Sequence, residues 1–366
     1  MKRMRDADYM KRAIELAKNG IGFVNPNPLV GAVIVKDGRI IGEGWHERYG
    51  EAHAERNALN HCTESPEGAT IYVTLEPCCH EGKQPPCTQA LIDAKIARVV
   101  VGSDDPNPLV AGKGIEQLRN AGIEVETGIC KEECDKLNEI FFYYITHQKP
   151  YVIMKIAMTA DGKIATRAGL SKWITGAESR QNVHETRKLC SAIMIGIGTV
   201  INDDPTLTCR IENPSNPARI ICDSNLQIPL DCKLVMTAKD IPTYVAYCRS
   251  DKRKIEQLEK MGVHLIEITS PDGRVNLKNL MRKLGALGID SVLLEGGAAL
   301  HESALRAGIV QKVQVYIAPK IFGGISAKSA VGGLGVYEVD EAYQLSRPEI
   351  RRFGDDVLLE FEVLKK

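Results

Sequence analysis

Two short segments in the first half of the chain bring together side chains that bind metals and move protons. The segment "AHAERNAL" places His53 and Glu55 two residues apart, and "EPCCHEGKQPPC" (76–87) holds three cysteines and a histidine. Thiolates and imidazoles are ligands that Zn²⁺ prefers, and a carboxylate beside the metal can shuttle a proton. The same cluster is compatible with a redox pair or a catalytic nucleophile. The spacing of the residues has to distinguish these two functions from a metal site.

The order of these residues follows the pattern of zinc deaminases, with one departure. In those enzymes H-x-E precedes P-C-x-x-C, the His and two Cys hold Zn²⁺, and the Glu acts as acid and base without binding the metal. Here Pro77-Cys78 follows His53, but a C-x-x-C would need cysteine at position 81, where the chain has Glu81. The second cysteine ligand must lie elsewhere.

Cys87 is the better candidate of the two remaining cysteines in this segment. Adjacent side chains diverge, which counts against Cys79 beside Cys78. Cys87 directly precedes a predicted helix, Thr88–Lys95, whose N-terminal amides favour a thiolate. We therefore predict that His53, Cys78 and Cys87 bind zinc, with water at the open fourth position of a catalytic site. A structural zinc with four protein ligands is the main alternative, and it gives no reason for a carboxylate beside the metal.

The predicted ligand set implies hydrolytic deamination. Zinc lowers the pKa of a bound water to ~7, so that hydroxide is available near neutral pH. Glu55 is the predicted catalytic residue: it accepts that proton and returns it to the leaving amine as the tetrahedral centre collapses.

Helices and strands alternate over residues 1–147. Apolar residues recur at helical spacing over Ala7–Ala17, and Asp37-Gly38 is a strong hairpin signal. The remaining predicted elements are the helices His53–Cys62, Thr88–Lys95 and Gly114–Asn120 and the strands Ala69–Thr74 and Ile123–Glu126. Such alternation predicts an α/β/α sandwich around a largely parallel sheet.

A domain boundary is predicted near His147–Pro150, which gives domains of residues 1–147 and 148–366. The second part repeats the alternation, with a helix near Glu178–Leu189 and β-rich segments such as "SAIMIGIG", "ARIICD" and "DSVLLEGG". The C-terminal "DDVLLEFEVL" alternates as an edge strand would. The size and pattern fit one further α/β domain.

The bulk composition excludes several classes of function. Lys+Arg and Asp+Glu balance at 47 each, so the chain has no broad electrostatic footprint for nucleic acid or an anionic membrane. No apolar run approaches ~18 residues. Eleven cysteines without a repeated spacing or a secretory leader predict a cytoplasmic protein with reduced thiols.

The motifs of the first half together resemble a known family. "NPNPLVGAVIV", "HAERNAL", "TLEPCCHEGKQPPCTQALI" and "GSDDPNPLVAGKGIEQL" closely resemble the deaminase half of the bifunctional deaminase–reductases of riboflavin biosynthesis, in which eight residues separate the zinc cysteines. The resemblance implies deamination at C2 of 2,5-diamino-6-ribosylamino-4(3H)-pyrimidinone 5′-phosphate. It also implies that the following residues contact the pyrimidine and phosphate: Asn27, His46, His80 and Lys83.

The second half lacks the Rossmann fingerprint, because "GIGTVI" (196–201) has isoleucine where the third glycine belongs. Nevertheless "AMTADGKIA", "SKWITG", "MIGIGTVINDDPTLTCR" and "LLEGGAAL" resemble the reductase half of the same family. That half has a dihydrofolate reductase-like fold that binds NADPH. Physically, "LEGG" ends a strand and opens a helix, whose backbone amides can cradle a diphosphate.

The resemblance assigns roles residue by residue in this half. It implies NADPH contacts from Ala157, Trp173, Thr199, Asp203 and the run Gly297, Ala298, Ala299, Leu300, His301, Glu302 and Ser303. It implies substrate contacts from Ser171, Arg187, Leu207, Arg210 and Glu295, with the two arginines as bidentate phosphate forks. Hydride delivery to C1′ of the opened ribose would give the ribityl chain, and no proton donor is evident from the sequence.

Two other functions are compatible with parts of the pattern. One is a deaminase of another nucleobase or of nucleic acid, with a C-terminal recognition domain; near-zero net charge and few aromatic residues disfavour an RNA substrate. The other is a zinc-stabilised, NADPH-binding regulatory protein without catalysis. The leading prediction is the bifunctional enzyme, acting on phosphorylated pyrimidines as a homo-oligomer, with Zn²⁺ and NADPH as cofactors.

Overall fold

The computed structural model describes residues 5–81, 84–249 and 251–364. The chain divides into two compact units, one ending at Gln148 and the other beginning at Lys149. Among the described helices, none combines the length and apolar character needed to cross a membrane.

The first unit contains a mixed five-stranded sheet of order β2-β1-β3-β4-β5. Its strands are β1 (Gly31–Lys36), β2 (Arg39–Trp45), β3 (Thr70–Leu75), β4 (Arg98–Ser103) and β5 (Glu124–Thr127). β1 runs antiparallel to both β2 and β3, whereas β3, β4 and β5 are parallel. The β1–β2 hairpin turns at Asp37 and Gly38, both with positive φ, as the sequence predicts.

Helices cover both faces of this sheet. They are α1 (Asp6–Ala17), α2 (Ala54–Asn60), α3 (Cys87–Asp93), α4 (Lys113–Asn120), α5 (Lys131–Leu137) and α6 (Glu139–His147). Successive strand residues point to opposite faces: Ile34 packs with the cluster that includes α2, α3 and α4, and Val33 packs with the cluster that includes α1 and α5. The result is the predicted three-layer sandwich.

The carboxyl ends of β3 and β4 position the chemistry of this unit. In parallel sheets the loops that leave neighbouring strands meet at one edge, which is where ligands bind. The loop after β3 begins at Glu76, whose backbone N–H donates to the carbonyl of Ser103 at the end of β4, 2.9 Å away. The cysteine segment 76–87 and the loop 104–112 therefore leave the sheet side by side.

The second unit contains a nine-stranded sheet of order β10-β9-β8-β7-β11-β6-β12-β14-β13. Its strands are β6 (Tyr151–Thr159), β7 (Ala192–Gly196), β8 (Ala218–Cys222), β9 (Thr243–Tyr247), β10 (His264–Glu267), β11 (Ser291–Leu294), β12 (Lys312–Ala318), β13 (Glu349–Phe353) and β14 (Asp356–Glu362). All neighbours from β10 to β12 pair in parallel, and the β13–β14 hairpin adds two antiparallel strands.

Two apolar clusters lie on opposite faces of this sheet. The helices are α7 (Ala177–Leu189), α8 (Ile197–Asp203), α9 (Lys233–Met236), α10 (Lys252–Lys260), α11 (Leu277–Ala286) and α12 (Ala298–Arg306). Met194 of β7 packs with the cluster that includes α11 and α12, whereas Ile193 and Ile195 pack with the cluster that includes α9 and α10.

The prediction of a C-terminal edge strand is wrong in one respect. "DDVLLEFEVL" does form a strand, β14, but β14 lies between β12 and β13, so β13 is the edge. The segment Glu349–Phe353 has no buried side chain, and its sequence therefore carries little periodic signal.

Candidate active sites

Three side chains of the first unit converge as a zinc site requires. The Sγ atoms of Cys78 and Cys87 lie 3.5 Å and 3.4 Å from Nδ1 of His53, and the ligand atoms of all three lie within 4.8 Å of one another. Within the described residues, this is the one group of three or more His, Cys, Asp or Glu side chains with such spacing. Two thiols and one imidazole are a donor set for tetrahedral zinc, so these residues fit the metal.

Secondary structure fixes each of these donors. His53 is the N-cap residue of α2, Cys78 follows β3, and Cys87 is the first residue of α3. The backbone N–H of Cys87 donates to Sγ of Cys78 over 3.4 Å, and Arg56 donates to the carbonyls of Pro85 and Pro86. The thiol of Cys79 lies outside the group, 3.9 Å from the carbonyl of Leu109.

The surroundings favour a thiolate at this site. Hydrogen bonds from the Cys87 thiol and from His53, with the Cys87 backbone N–H, outweigh burial and lower the pKa of Cys78 to about 4. The pKa of Cys87 moves upward, chiefly because its thiol donates to that thiolate and is buried. A divalent cation bound here would displace the remaining proton or protons from the two thiols.

Glu55 stands beside the ligands without belonging to their group. It occupies the second position of α2 and is almost fully buried, with a relative exposure of 3%. Burial, and then the negative charge of Cys78, raise the pKa of Glu55 to about 7. A carboxyl group with a pKa near neutrality can both accept and release a proton under physiological conditions.

A cavity of about 310 Å³ opens over these residues. Asn27, His46 and His80 all line it. Nδ1 of His46 lies 3.1 Å from the carbonyl oxygen of Ala52. Because a carbonyl oxygen can only accept a hydrogen bond, Nδ1 carries the proton. Nε2 of His46 therefore accepts a hydrogen bond from the amide nitrogen of Asn27, 3.2 Å away. This orientation leaves Oδ1 of Asn27 as an acceptor for a ligand. Nδ1 of His80 is buried without a partner among the described residues. The predicted contact Lys83 lies outside the described residues.

The cavity also contains acidic and amide side chains that sequence reasoning missed. Asp105 and Asn107, from the loop after β4, line it together with Glu76. Burial raises the pKa of Asp105 to about 6. The sequence does contain a signal for them. Both residues follow a predicted buried strand in "GSDDPNPLV", and this strand is parallel to the strand that leads to Cys78.

The second unit has a larger cavity, of about 520 Å³, at the carboxyl ends of its central strands. It brings together most of the residues that the resemblance names. Those that line it are Ala157, Ser171, Trp173, Arg187, Thr199, Asp203, Leu207, Arg210, Glu295, Gly297 and His301. The other five named residues, Ala298, Ala299, Leu300, Glu302 and Ser303, lie on α12 and are not among the lining residues.

A buried ion pair forms part of the wall of this cavity. Arg187 donates through Nε and Nη2 to the two carboxylate oxygens of Glu295, at 2.6 Å and 2.9 Å, and through Nη1 to the carbonyl of Thr208 at 2.9 Å. Burial alone would raise the pKa of Glu295, but Arg187, aided by Lys155, lowers it to about 2. These bonds use three of the five N–H donors of Arg187, so two remain for the predicted phosphate contact.

Lys155 is a second cation in this wall that the sequence analysis did not single out. It follows Met154 on β6, which pairs with Leu294 of β11, so Lys155 and Glu295 occupy matching positions on adjacent strands. Burial lowers the pKa of Lys155, and the charge of Glu295 partly offsets that effect. A lone lysine in the apolar run "YVIMKIAMT" was the available signal.

Two arginines and a histidine lie where this cavity meets a neighbouring surface pocket. Arg180, His184 and Arg210 line both. Nδ1 of His184 accepts the backbone N–H of Arg210 at 3.3 Å. Burial, and then the charges of Arg187 and Arg210, lower the pKa of His184 to about 4. The neutral imidazole therefore presents Nε2 as a hydrogen-bond donor beside two guanidinium groups.

The start of α12 presents an acceptor to the same cavity. Nδ1 of His301 lies 2.9 Å from the carbonyl of Ala330, so it carries the proton. Nε2 of His301 is buried and has no partner among the described residues. It can accept a hydrogen bond from a bound molecule.

Two family models together match most of the chain. The model described as the cytidine and deoxycytidylate deaminase zinc-binding region matches residues 3–103, and the RibD C-terminal domain matches residues 150–359. Full-length relatives match as well. The chain is 54% identical to riboflavin biosynthesis protein RibD of Actinobacillus pleuropneumoniae, over 99% of this chain and 96% of the relative. It is 45% identical to the protein of that name from Aquifex aeolicus, over 98% of each.

Solved structures agree with these matches. RibD of Acinetobacter baumannii superposes with a TM-score of 0.89 at 38% identity, covering 98% of this chain and 99% of that one. The Thermotoga maritima diaminohydroxyphosphoribosylaminopyrimidine deaminase/5-amino-6-(5-phosphoribosylamino)uracil reductase gives 0.88 at 39% identity, with the same coverage.

The comparisons confirm the predicted fold class, a cytidine deaminase-like sandwich followed by a dihydrofolate reductase-like α/β domain. They disfavour the alternative of a nucleic-acid deaminase with a recognition domain, because the C-terminal match is to the RibD reductase. The chain belongs to the RibD family of riboflavin biosynthesis proteins, bifunctional enzymes that join a zinc-binding deaminase domain to an NADPH-dependent reductase domain.

Proposed function

We propose that the first unit deaminates 2,5-diamino-6-ribosylamino-4(3H)-pyrimidinone 5′-phosphate and that the second reduces the ribosyl group of the product. The final product is 5-amino-6-ribitylamino-2,4(1H,3H)-pyrimidinedione 5′-phosphate. The observation that carries the proposal is the triangle of His53, Cys78 and Cys87 with buried Glu55 beside it. The name of the similar Thermotoga protein, a deaminase/reductase of such pyrimidines, supports the substrate class.

In the deaminase unit, His53, Cys78 and Cys87 would hold zinc. When bound, zinc supplies a Lewis acid that makes water nucleophilic near neutral pH. Glu55 takes the proton from the attacking water and delivers it to the departing amine, because its carboxyl group is buried and titrates near neutrality. The products are the keto pyrimidine and ammonia.

The pyrimidine would be held by groups on opposite sides of the cavity. Oδ1 of Asn27 is fixed as an acceptor by the hydrogen bond between its amide nitrogen and His46. Asp105 and Asn107 offer a carboxyl and an amide group from the loop after β4. His80 adds a further nitrogen. Alternating donors and acceptors of this kind can read the edge of a diaminopyrimidinone ring.

In the reductase unit, NADPH would lie along Ala157, Trp173, Thr199, Asp203 and the first turns of α12. When bound, NADPH supplies the hydride for C1′ of the ring-opened sugar. Lys155 is then the residue best placed to hold and donate a proton, because it lines the cavity and burial lowers its pKa. Glu295 pairs with Arg187 and partly offsets the effect of burial on the pKa of Lys155.

The substrate phosphate would bind at the mouth of this cavity. Arg210 is exposed there, and Arg180 lies over the ring of Trp173 at 4.5 Å. With Nε2 of His184, these guanidinium groups supply donors suited to phosphate oxygens. Arg187 lines the same cavity and can add the N–H donors that its pair with Glu295 leaves free.

The order of the two steps is tested by supplying the diaminopyrimidinone phosphate with and without NADPH. Ammonia release should be independent of NADPH, whereas NADPH oxidation should occur only after ammonia release or with the deaminated pyrimidine supplied directly. NADPH oxidation that precedes ammonia release would contradict the order.

We further infer that the protein works in the cytoplasm as a homo-oligomer assembled through the second unit. Ile325, Leu334, Tyr337 and Val339 are almost fully exposed, and β13 leaves one edge of the nine-stranded sheet unpaired within the described chain. Exposed apolar surface and an open strand edge are features that assembly would cover. Light scattering should give an oligomer that Leu334→Glu weakens; a wild-type monomer at micromolar concentration would refute this inference.

A further inference from the structure

A buried carboxylate in the deaminase unit is occupied entirely by backbone amides. Glu76 has a relative exposure of 3%. Its Oε1 accepts from the N–H groups of Gly114 at 3.0 Å and Ile115 at 3.2 Å, and its Oε2 accepts from those of Gly112 at 2.9 Å and Asp105 at 3.5 Å. One side chain thereby fixes both ends of the segment 105–115.

This segment carries two of the side chains that line the deaminase cavity. Oδ1 of Asp105 accepts the N–H of Asn107 at 2.8 Å, and Oδ1 of Asn107 accepts that of Leu109 at 3.1 Å. These bonds leave Oδ2 of Asp105 and the amide nitrogen of Asn107 without hydrogen-bond partners among the described residues. Both groups are therefore available to a ligand, and their positions depend on how the loop is held.

The same short stretch also leads to a zinc ligand. Cys78 follows Glu76 by two residues, and a Cβ atom on Gly114 would lie only 2.2 Å from the carbonyl oxygen of Pro77. The first turn of α4 therefore packs directly on the backbone between Glu76 and Cys78. Movement at Glu76 would shift the loop relative to the metal ligands.

We propose that Glu76 is a positioning residue for the deaminase: its carboxylate anchors both ends of the segment 105–115, which comprises the loop after β4 and the first turn of α4. Asp105 and Asn107 thereby meet the pyrimidine at the correct distance from the zinc ligands. The inference rests on the proposed function. Glu76 itself need not touch the substrate, because both of its oxygens are used by the loop.

Glu76→Gln tests this role with little change in shape. The amide keeps one acceptor oxygen and turns an NH₂ group toward two backbone N–H donors, so at least one end of the loop loses its anchor. The matched control is Glu116→Gln, because Glu116 follows Ile115 directly but is exposed. Both variants are made in the full chain, so that the reductase activity reports on the second unit.

The expected result is a rise in KM for deamination with kcat changed by less than about threefold, the pattern of lost binding. We expect kcat/KM to fall roughly tenfold to a hundredfold, since small misplacements have effects of this size. Amide hydrogen exchange over 105–115 should accelerate, zinc content should stay at the wild-type level, and Glu116→Gln should match wild type.

Unchanged exchange over 105–115 would overturn the proposal, as would a loss of zinc or thermal stability with KM unchanged. If Glu76→Gln fails to fold, Glu76→Asp applies the same test, because aspartate keeps both acceptor oxygens but is one methylene shorter. An unchanged KM and an unchanged exchange rate in Glu76→Asp would also overturn the proposal. The exchange measurement needs no substrate. Failure of the wild type to deaminate the pyrimidine would therefore refute the proposed function without deciding the anchor.

Discussion

Arg187 and Glu295 form a two-point ion pair, 2.6 Å and 2.9 Å long, in the wall of the reductase cavity. Their side chains are only 12% and 13% exposed, so solvent screens the pair little. A pair this buried stabilises only when both partners are present, because either charge alone would be stranded away from water. A substitution that removes either charge should therefore lower the stability of the second unit as well as change its cavity.

Glu295→Gln should destabilise the second unit and abolish reduction. The substitution leaves Arg187 and Lys155 without their counter-charge, and removing one partner of a buried pair costs about 3 to 5 kcal/mol. Denaturant unfolding and NADPH oxidation with the deaminated pyrimidine measure the two effects. Arg351→Gln is the control, because Arg351 is 48% exposed beside Glu360 and such pairs contribute less than about 1 kcal/mol. If both variants lost the same unfolding free energy and the same NADPH oxidation, the buried pair would have no special role in the second unit.

Lys155→Met should separate binding from chemistry in the reductase. Without an ammonium group facing the opened sugar, NADPH oxidation should fall by roughly a hundredfold or more, the usual size of a proton-transfer contribution. NADPH affinity, measured by fluorescence, and ammonia release from the diaminopyrimidinone should both persist. Wild-type reduction in this variant would exclude Lys155 as the proton source.

His184 should make stability depend on pH below neutrality. Its pKa is lowered from 6.5 to about 4 by burial and by Arg187 and Arg210, with Lys155 adding to this effect and Glu295 opposing it. The unfolded chain binds this proton first, so His184 destabilises the fold as pH falls from 6.5 to about 4, and has no effect above that range.

Between pH 7 and pH 4, His184→Gln should therefore lose less unfolding free energy than wild type does, by up to about 3 kcal/mol. Denaturant titrations across this range measure the difference. His147→Gln is the control, because the side chain of His147 is exposed on the first unit. Parallel curves for His184→Gln and wild type would refute the buried, neutral imidazole.

The two cysteines that remain after Cys78 should behave oppositely. Cys87→Ser should lose zinc and deamination, because Sγ of Cys87 lies 3.4 Å from Nδ1 of His53. Cys79→Ser should keep most of its zinc, because that thiol lies beside the carbonyl of Leu109 instead. Elemental analysis of purified protein distinguishes the two, and the reverse pattern would show that the ligand set is wrong.

The convergence of His53, Cys78 and Cys87 could be predicted because local signals in the sequence placed each of them. His53 caps the start of a helix, Cys78 lies shortly after a strand, and Cys87 begins the next helix. Helix and strand termini are visible in apolar periodicity, and parallel strands bring their carboxyl ends together without any knowledge of the loops.

The remaining site residues depend on contacts that periodicity does not encode. Lys155 lies within an apolar strand, and its direction into the cavity depends on the register of β6 with β11. The pairing of Arg187 with Glu295 could not be predicted, because the two residues are 108 positions apart in the chain. The role of Glu76 depends on its hydrogen bonds to backbone N–H groups of residues 105–115, which sequence periodicity does not encode.

Glu55→Gln tests the central claim most directly, with ammonia release and NADPH oxidation followed separately and Glu132→Gln, an exposed glutamate of the same unit, as the control. The account predicts that Glu55→Gln retains zinc, releases no ammonia from the diaminopyrimidinone phosphate, and still oxidises NADPH when given the deaminated pyrimidine. Ammonia release at the wild-type rate with zinc bound would contradict it.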